Sequence, residues 1–401
     1  MKKIRPRERL QQYLREALAG APRVAPPCPH FGECGGCEYQ NYAYSAQVAA
    51  KAAVWRRLVA DAGLTLPEAH LARSQAEYGY RQRMDYVFAF GNAGLRRAGS
   101  HKHVVALTAC PLCGDAGWRA FVRARDLAVA ADLPAYDYLR HTGFLRYFVV
   151  RQTRRGEVML NLVTKTPEFA DKIETIATTL LAEGLAASVH WLCQESAADL
   201  SFGAPVRFWG RPVIYATYLG KDFAIGPNTF AQANALTAEQ AYGEIVAANR
   251  GEPLLGDIYA GSGVIGDLLA PTCGHVVAVE NVPENLALAR EHAAAHRLDN
   301  WSLCSADAGQ FLRDAATRAE QNGAGEFSAV VVNPPRVGLA GAVAALLAVA
   351  PPRLTYMSCN PLTLLDDLKI LLPHYVAEKI MLFDMFPQTP HWETLALLRR
   401  R

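Results

Sequence analysis

Hydrophobic and polar positions alternate in two different ways along this chain. Residues 80–218 hold short apolar runs with the period of strands, and they are interrupted by two helical patterns at 116–131 and 168–183. After residue 236 strand-like and helical patterns alternate along the chain. The strand-like runs there are 254–259, 276–280, 328–332, 354–358 and 380–384. Helical patterns such as 283–295 and 362–372 lie between them. Regular alternation of strand and helix predicts an α/β domain with a doubly wound parallel sheet, preceded by an α+β domain.

The first 75 residues have a different character. A short helix at 11–21 is predicted before a proline-rich break at 22–29, and an amphipathic helix is predicted at 45–62. Between them lies a loop that is dense in cysteine. The predicted organisation is therefore a basic tail and cysteine loop at 1–75, a central α+β domain at 76–235 and an α/β domain at 236–401.

Composition and charge narrow the class of protein. A chain of 401 residues with 51% hydrophobic residues can fill two or three complete cores. The net charge of +3 neither requires nor excludes a nucleic-acid partner. No apolar run is long enough to cross a bilayer, and the basic N-terminus lacks the apolar stretch of a signal peptide. We therefore predict a cytoplasmic monomer with no membrane or protein partner, whose nine cysteines serve metal binding or catalysis rather than disulfides.

Several chemically suggestive residues fall where predicted parallel strands end. Ligands of doubly wound sheets bind at that edge. The residues are Tyr259, Glu280, Asp307, Asn333 and Cys359. The first of these strands runs into a glycine-rich loop, Gly261-x-Gly263-x-x-Gly266, and Glu280 can accept both hydroxyls of a ribose. This loop alone fits either NAD or S-adenosylmethionine.

Cys359 is a candidate nucleophile because of its place in the chain. It follows an apolar strand, and Asn360 and Pro361 then supply the N-cap and first residue of a predicted helix. The positive end of a helix favours the thiolate, which is the reactive form of cysteine. Glu393 opens a further strand at 394–398 and can act as a base. The competing interpretation is an inert buried cysteine and a solvated glutamate.

The remaining chemistry concerns cysteines near the N-terminus. Cys28, Cys34 and Cys37 share one loop, and Cys110 and Cys113 follow at a distance. Two cysteine pairs with this spacing can hold a tetrahedral zinc ion, whereas three in a loop plus one distant cysteine suit an iron–sulfur cubane. Spacing alone leaves both metal sites open.

Four segments of the C-terminal half together resemble the motifs of the RNA uridine-5-methyltransferase family. They are Asp257 to Gly263, Val332-Asn333-Pro334-Pro335-Arg336, Ser358-Cys359-Asn360-Pro361, and Asp384 to Glu393. The cysteine loop with Cys110 resembles the iron–sulfur ligands of that family, and Phe230 to Asn234 resembles its linker segment. The resemblance extends over the chain from Cys28 onward.

The resemblance implies a class I methyltransferase domain, S-adenosylmethionine as the methyl donor, and a structured ribosomal or transfer RNA that presents a uridine in a loop. Cys359 would be the nucleophile and Glu393 the base. The implied cofactor-binding residues are Gln232, Tyr259, Gly261, Gly263, Glu280, Asp307 and Asn333. The implied ligands of a [4Fe–4S] cluster are Cys28, Cys34, Cys37 and Cys110. The small RNA-binding β-barrel that begins some members is expected to be absent.

Some features depart from the family pattern or favour other functions. Asn333 stands where the family often has Asp, and Cys113 is a second candidate for the fourth cluster ligand. Asn-Pro-Pro also occurs in adenine amino-group methyltransferases, but an aromatic residue follows it there, and Arg336 follows it here. A non-catalytic iron–sulfur RNA-binding protein would have no use for Cys359. For RNA phosphates, Arg81 and Arg83 are the leading predicted contacts, ahead of the basic tail.

Overall fold

A computed structural model of the protein describes residues 6–89, 92–100, 102–322 and 326–401. The basic tail at 1–5 lies outside the described residues. The helices are α1 Pro6–Ala17, α2 Tyr44–Asp61, α3 Asp115–Ala130, α4 Ala170–Ala182, α5 Ala235–Ala248, α6 Val264–Leu269, α7 Pro283–Ala295, α8 Ala308–Asn322, α9 Ala342–Val349 and α10 Pro361–Leu371. None of the helices in these ranges has both the length and the apolar character needed to cross a bilayer.

The strands form two large sheets and one hairpin. The strands are β1 His70–Ala72, β2 Arg83–Ala89, β3 Asn92–Arg96, β4 Val104–Ala106, β5 Leu145–Gln152, β6 Val158–Thr164, β7 Ser188–Cys193, β8 Ala204–Gly210, β9 Ile214–Tyr218, β10 Lys221–Ile225, β11 Leu254–Ile258, β12 His275–Glu280, β13 Trp301–Ser305, β14 Ala329–Val332, β15 Arg353–Ser358, β16 Tyr375–Phe383 and β17 Glu393–Arg400. One sheet has the order β4-β3-β2-β5-β6-β7-β8 and the other has the order β1-β16-β17-β15-β14-β11-β12-β13.

The C-terminal sheet confirms the predicted doubly wound architecture. Strands β11 to β15 pair in parallel, and β17 is antiparallel to both of its neighbours, β15 and β16. All four residues of β14 are buried, as expected for a central strand that is covered by helices on both faces. The carboxyl ends of β11, β12, β14 and β15 therefore meet at one edge.

Strand β1 and helices α1 and α2 of the N-terminal segment belong to the domain of this sheet. Strand β1 pairs in parallel with β16, and helices α1 and α2 pack on the same face as α10. Leu14 and Trp55 are buried in one core with Val332 and Leu364. The predicted division at residue 75 thus cuts through a layer of the C-terminal domain. The physical reason is that α1 packs on α2, and α2 packs on α10 near the other end of the chain, which local patterns do not record.

The central sheet carries α3 and α4, as the sequence predicts. Tyr86, Phe121 and Phe148 form the middle of its core. Strands β8 and β9 are separate although only three residues lie between them, because Gly210 has a φ of +77° and ends β8. The second of them, β9, forms a hairpin with β10 that packs into the core of the C-terminal domain.

Candidate active site

Strand register brings the two predicted catalytic residues together. Ser358 at the end of β15 pairs with Thr394 on β17, so the next positions, Cys359 and Glu393, stand opposite each other. Both side chains line the same cavity. Asn360 accepts a hydrogen bond from the Leu362 amide at 3.2 Å, which confirms the predicted N-cap after Cys359.

Burial decides the protonation of both groups. The Glu393 side chain is buried, which raises its pKa to about 8, although the Arg336 guanidinium acts to lower it. Burial and the facing Glu393 carboxylate raise the pKa of the Cys359 thiol to about 11, and Arg336 again acts in the opposite direction. The predicted preference for the thiolate was therefore wrong for the free protein. A helix N-terminus acts only over its first turn, whereas desolvation and a facing carboxylate act on the thiol directly.

Most of the predicted cofactor-binding residues surround one cavity of about 500 Å³. Those in its wall, together with Cys359 and Glu393, are Gln232, Tyr259, Gly261, Glu280 and Asn333. Gly263 and Asp307 are not in the wall. Gly263 begins α6 with a φ of +78°, and the Asp307 carboxylate accepts the Gln310 amide at 2.9 Å in the first turn of α8. These two residues are therefore placed at the starts of α6 and α8, outside the cavity wall.

The glycine loop is held in an unusual backbone conformation. Tyr259 has a φ of +64°, in the left-handed region that is costly for a residue with a side chain, and Gly261 follows with +58°. The Glu280 carboxylate fixes this loop by accepting the Gly261 amide at 2.8 Å, and its other oxygen accepts the amides of Asn281 and Val282, both at 2.8 Å. Because a carboxylate offers about four acceptor sites, a ligand hydroxyl can still bind.

Arg336 is a site residue to which the sequence interpretation gave no role. Its guanidinium lies 3.4 Å from Nδ1 of His391 and acts electrostatically on both Cys359 and Glu393. The Asn360 side chain donates to its carbonyl at 2.9 Å, which ties the loop after β14 to the start of α10. A sequence signal existed, because Arg336 directly follows Asn-Pro-Pro at the ligand edge of the sheet.

Several known proteins are similar to this chain. The family model for tRNA (uracil-5-)-methyltransferases matches residues 220–401. An RNA methyltransferase of Caldanaerobacter subterraneus, itself uncharacterized, is 32% identical over 94% of this chain and 85% of its own length. The chain belongs to the RNA uracil-5-methyltransferase family.

A relative with a named activity and a solved structure are also similar to this chain. The tRNA (uracil(54)-C(5))-methyltransferase of Pyrococcus horikoshii is 31% identical over 94% of this chain and 86% of its own length. The crystal structure of the corresponding Pyrococcus abyssi enzyme, in complex with S-adenosyl-L-homocysteine, superposes with a TM-score of 0.77 at 28% identity, covering 92% of this chain and 86% of that one. The predicted fold class and enzyme class, an RNA (uracil-5-)-methyltransferase, are confirmed.

In this uracil-5-methyltransferase, four of the N-terminal cysteines gather around a second, smaller cavity. They are Cys28, Cys34, Cys37 and Cys110. The Cys110 thiol acts electrostatically on the other three, which places all four near one another. Cys113 does not line this cavity and is buried in the core of the central domain. Within the ranges that the structure describes, no three His, Cys, Asp or Glu side chains converge closely enough to bind a single metal ion.

The two arginines predicted to bind RNA phosphates have partners within the protein. Arg83 pairs with Asp85 at 2.8 Å and lies 4.4 Å from the centre of the Phe202 ring. The Arg81 guanidinium lies 5.3 Å from the centre of the Phe386 ring, in the loop that leads to Glu393. Their contact with RNA stays a prediction.

Proposed function

We propose that this enzyme transfers a methyl group from S-adenosylmethionine to C5 of a uridine in a structured RNA, through a covalent bond between Cys359 and C6 of the base. The main support is that Cys359 and Glu393 face each other in the wall of the cavity that also contains the glycine loop. A related enzyme that binds S-adenosyl-L-homocysteine supports the choice of methyl donor.

The chemistry explains why a thiol and a carboxylate are both needed. C5 of uracil is too weak a nucleophile to attack a methyl sulfonium. Addition of the Cys359 sulfur to C6 forms an enolate, whose C5 takes the methyl group while the sulfonium leaves as a thioether. Glu393 then removes the C5 proton. The released electron pair restores the C5–C6 double bond and expels the Cys359 thiolate.

The pKa values of the site suit these steps. A carboxylate whose pKa is about 8 is a stronger base than an ordinary glutamate, which favours removal of the C5 proton. The Cys359 thiol, whose pKa is about 11, must give its proton to solvent before the sulfur adds to the bound uracil. Arg336 lowers the pKa of both groups, so it stabilises the anionic forms that the reaction passes through.

Transfer RNA is the favoured substrate because the named relatives act on uracil 54 of tRNA. The sequence itself leaves ribosomal RNA open. Since C5 and C6 must both reach a cavity, the uridine leaves its stack, as other enzymes that modify bases require. A loop uridine makes this easier because fewer base pairs are broken. Arg81 and Arg83 are the proposed phosphate contacts.

The function is tested with unmodified tRNA and ribosomal RNA transcripts and methyl-labelled S-adenosylmethionine. We expect label in 5-methyluridine, and release of tritium when the target uridine carries tritium at C5. A transcript with cytidine at the mapped position is the control and should accept no label. Label in a methylated adenine would contradict the proposal and favour the amino-group reaction.

We further propose that Cys28, Cys34, Cys37 and Cys110 hold a [4Fe–4S] cluster. Thiolates are the ligands of such clusters, and a cubane binds each thiolate to a different iron, so the four sulfurs need not converge on one point. Leu95 and Leu107 close the cavity with apolar surface. The Gly36 amide donates to the Cys34 sulfur at 3.4 Å, a bond that stabilises a thiolate. Methyl transfer includes no oxidation or reduction step. The cluster would therefore have a structural role, in which it cross-links the fold.

Metal analysis tests this assignment. Protein purified without oxygen is expected to contain about four irons per chain. Cys110→Ser should lose the cluster, whereas Cys113→Ser should keep it, because Cys110 lines the cavity and Cys113 does not. Stoichiometric zinc in iron-replete anaerobic preparations would show that the cysteines bind a different metal.

A further inference from the structure

A lysine ammonium is fully buried beneath the loop that leads to Glu393. Lys51 on α2 and Asp384 both have side chains that are 0% exposed, and their Nζ and Oδ1 atoms are 2.6 Å apart. The same Nζ donates to the carbonyl of Phe386 at 3.2 Å and to that of His391 at 2.9 Å. An ammonium has three protons, and three acceptors surround this one.

These three acceptors span the connection between β16 and β17. Phe383, the last residue of β16, pairs with Glu393, the first residue of β17. Asp384 is therefore at the start of the intervening loop, and His391 is two residues before Glu393. The ammonium joins both ends of this loop at a single point.

Further contacts from the N-terminal segment fix the same loop. Gln47, one turn before Lys51, accepts the Gln388 amide at 3.0 Å and donates to the Gln388 side chain at 2.8 Å. The amides of Glu38 and Tyr39 donate to the Gln388 carbonyl at 2.8 and 3.1 Å. Gln388 has a φ of +68°, a conformation that persists only where surrounding contacts enforce it.

Stability of the fold alone does not require a charged side chain at position 51. A buried ion pair pays for desolvation and can often be replaced by apolar side chains without loss of stability. Here the ammonium also satisfies two loop carbonyls, which an apolar side chain cannot do. We infer that Lys51 is a positioning residue that holds the loop at 384–392 so that the Glu393 carboxylate faces Cys359, an inference that rests on the function proposed above.

Loss of the Lys51 contacts should affect removal of the C5 proton but not the earlier formation of the adduct. Cys359 follows β15 and does not belong to the loop, so its addition to C6 and the methyl transfer need no contact from Lys51. Removal of the C5 proton depends on where Glu393 stands, and a displacement of about 1 Å can slow such a step about 100-fold. Loosening the loop should therefore slow release of the product and leave formation of the adduct intact.

The test uses the full-length double variant Lys51→Met with Asp384→Asn, which removes both charges and leaves no lone buried ion. Under single turnover, tritium release from C5-tritiated RNA should fall about 100-fold. The covalent adduct with 5-fluorouridine RNA should form at a rate close to that of the parent. The rise of tritium release with pH should move to lower pH, because a displaced Glu393 is better solvated. Lys379→Met, which removes a half-exposed lysine of β16, is the matched control and should change none of these.

A folded double variant with parental tritium release and an unshifted pH profile would overturn the inference. If that variant does not fold, Lys51→Gln with Asp384→Asn replaces it, which again leaves no lone buried ion. The shorter neutral side chain at position 51 keeps a donor and should reduce tritium release by a smaller factor with the adduct retained, whereas full activity would overturn the inference. Failure of the parent itself to form an adduct would refute the proposed function instead, so the two outcomes are distinct.

Discussion

Cys359→Ala is expected to abolish methylation and to leave no covalent RNA adduct. Without the sulfur, C5 never acquires carbanion character, and the rate should fall at least about 10⁴-fold, as when other covalent enzymes lose their nucleophile. RNA with 5-fluorouridine at the target makes this visible on a denaturing gel. Fluorine cannot leave as a proton, so the parent enzyme remains attached after methyl transfer.

Another cysteine provides the control for this experiment. Cys304 lies on β13, which is an edge strand of the same sheet as β15, and it does not line the cavity. Cys304→Ala should form the adduct normally, and Cys359→Ala should still bind S-adenosylmethionine. An adduct that survives Cys359→Ala would place the nucleophile elsewhere.

Glu393→Gln is expected to stall the enzyme after methyl transfer. The amide keeps the size of the side chain but cannot take the C5 proton, so a methylated covalent intermediate should accumulate. In the parent, tritium release should increase with pH up to about 8, since the base must be ionised and the pKa of Glu393 is about 8. Below that pH the rate should fall about tenfold per pH unit, whereas Glu393→Gln should release almost no tritium at any pH.

A surface glutamate of the neighbouring strand supplies the comparison. Glu378 on β16 pairs with Arg399 and is 41% exposed, so Glu378→Gln should turn over normally. Mass spectrometry of the trapped complex identifies the methyl group on the RNA. Ordinary turnover by Glu393→Gln would mean that a different group removes the proton.

The sequence predicted those parts of the fold that rest on local patterns. Helix α7 occupies the predicted residues, and the break from strand to helix at Cys359 occurs where Asn360 and Pro361 require it. Strand β1 was missed because its three residues are too few to show a period of two. Its partner, β16, is more than 300 residues away, and no local rule connects the two.

The same distinction applies to the site. The motifs indicated both Cys359 and Glu393, but only the pairing of β15 with β17 shows that they face each other. The pKa of the Cys359 thiol is raised because the assembled cavity buries it. The helix N-terminus seen in the sequence predicted a lowered pKa instead. Lys51 and Asp384 are 333 positions apart, and neither stands out in its own segment.

The pairing of β1 with β16 constrains the order in which the protein folds during synthesis. His70 pairs with Met381, so an early part of the nascent chain has no partner until almost all of the chain has left the ribosome. Until then the core that α1 and α2 enter lacks its residues from β16 and β17, and closing so long a loop is slow. Translation that stops before residue 375 should therefore yield a chain that needs chaperones to stay unaggregated.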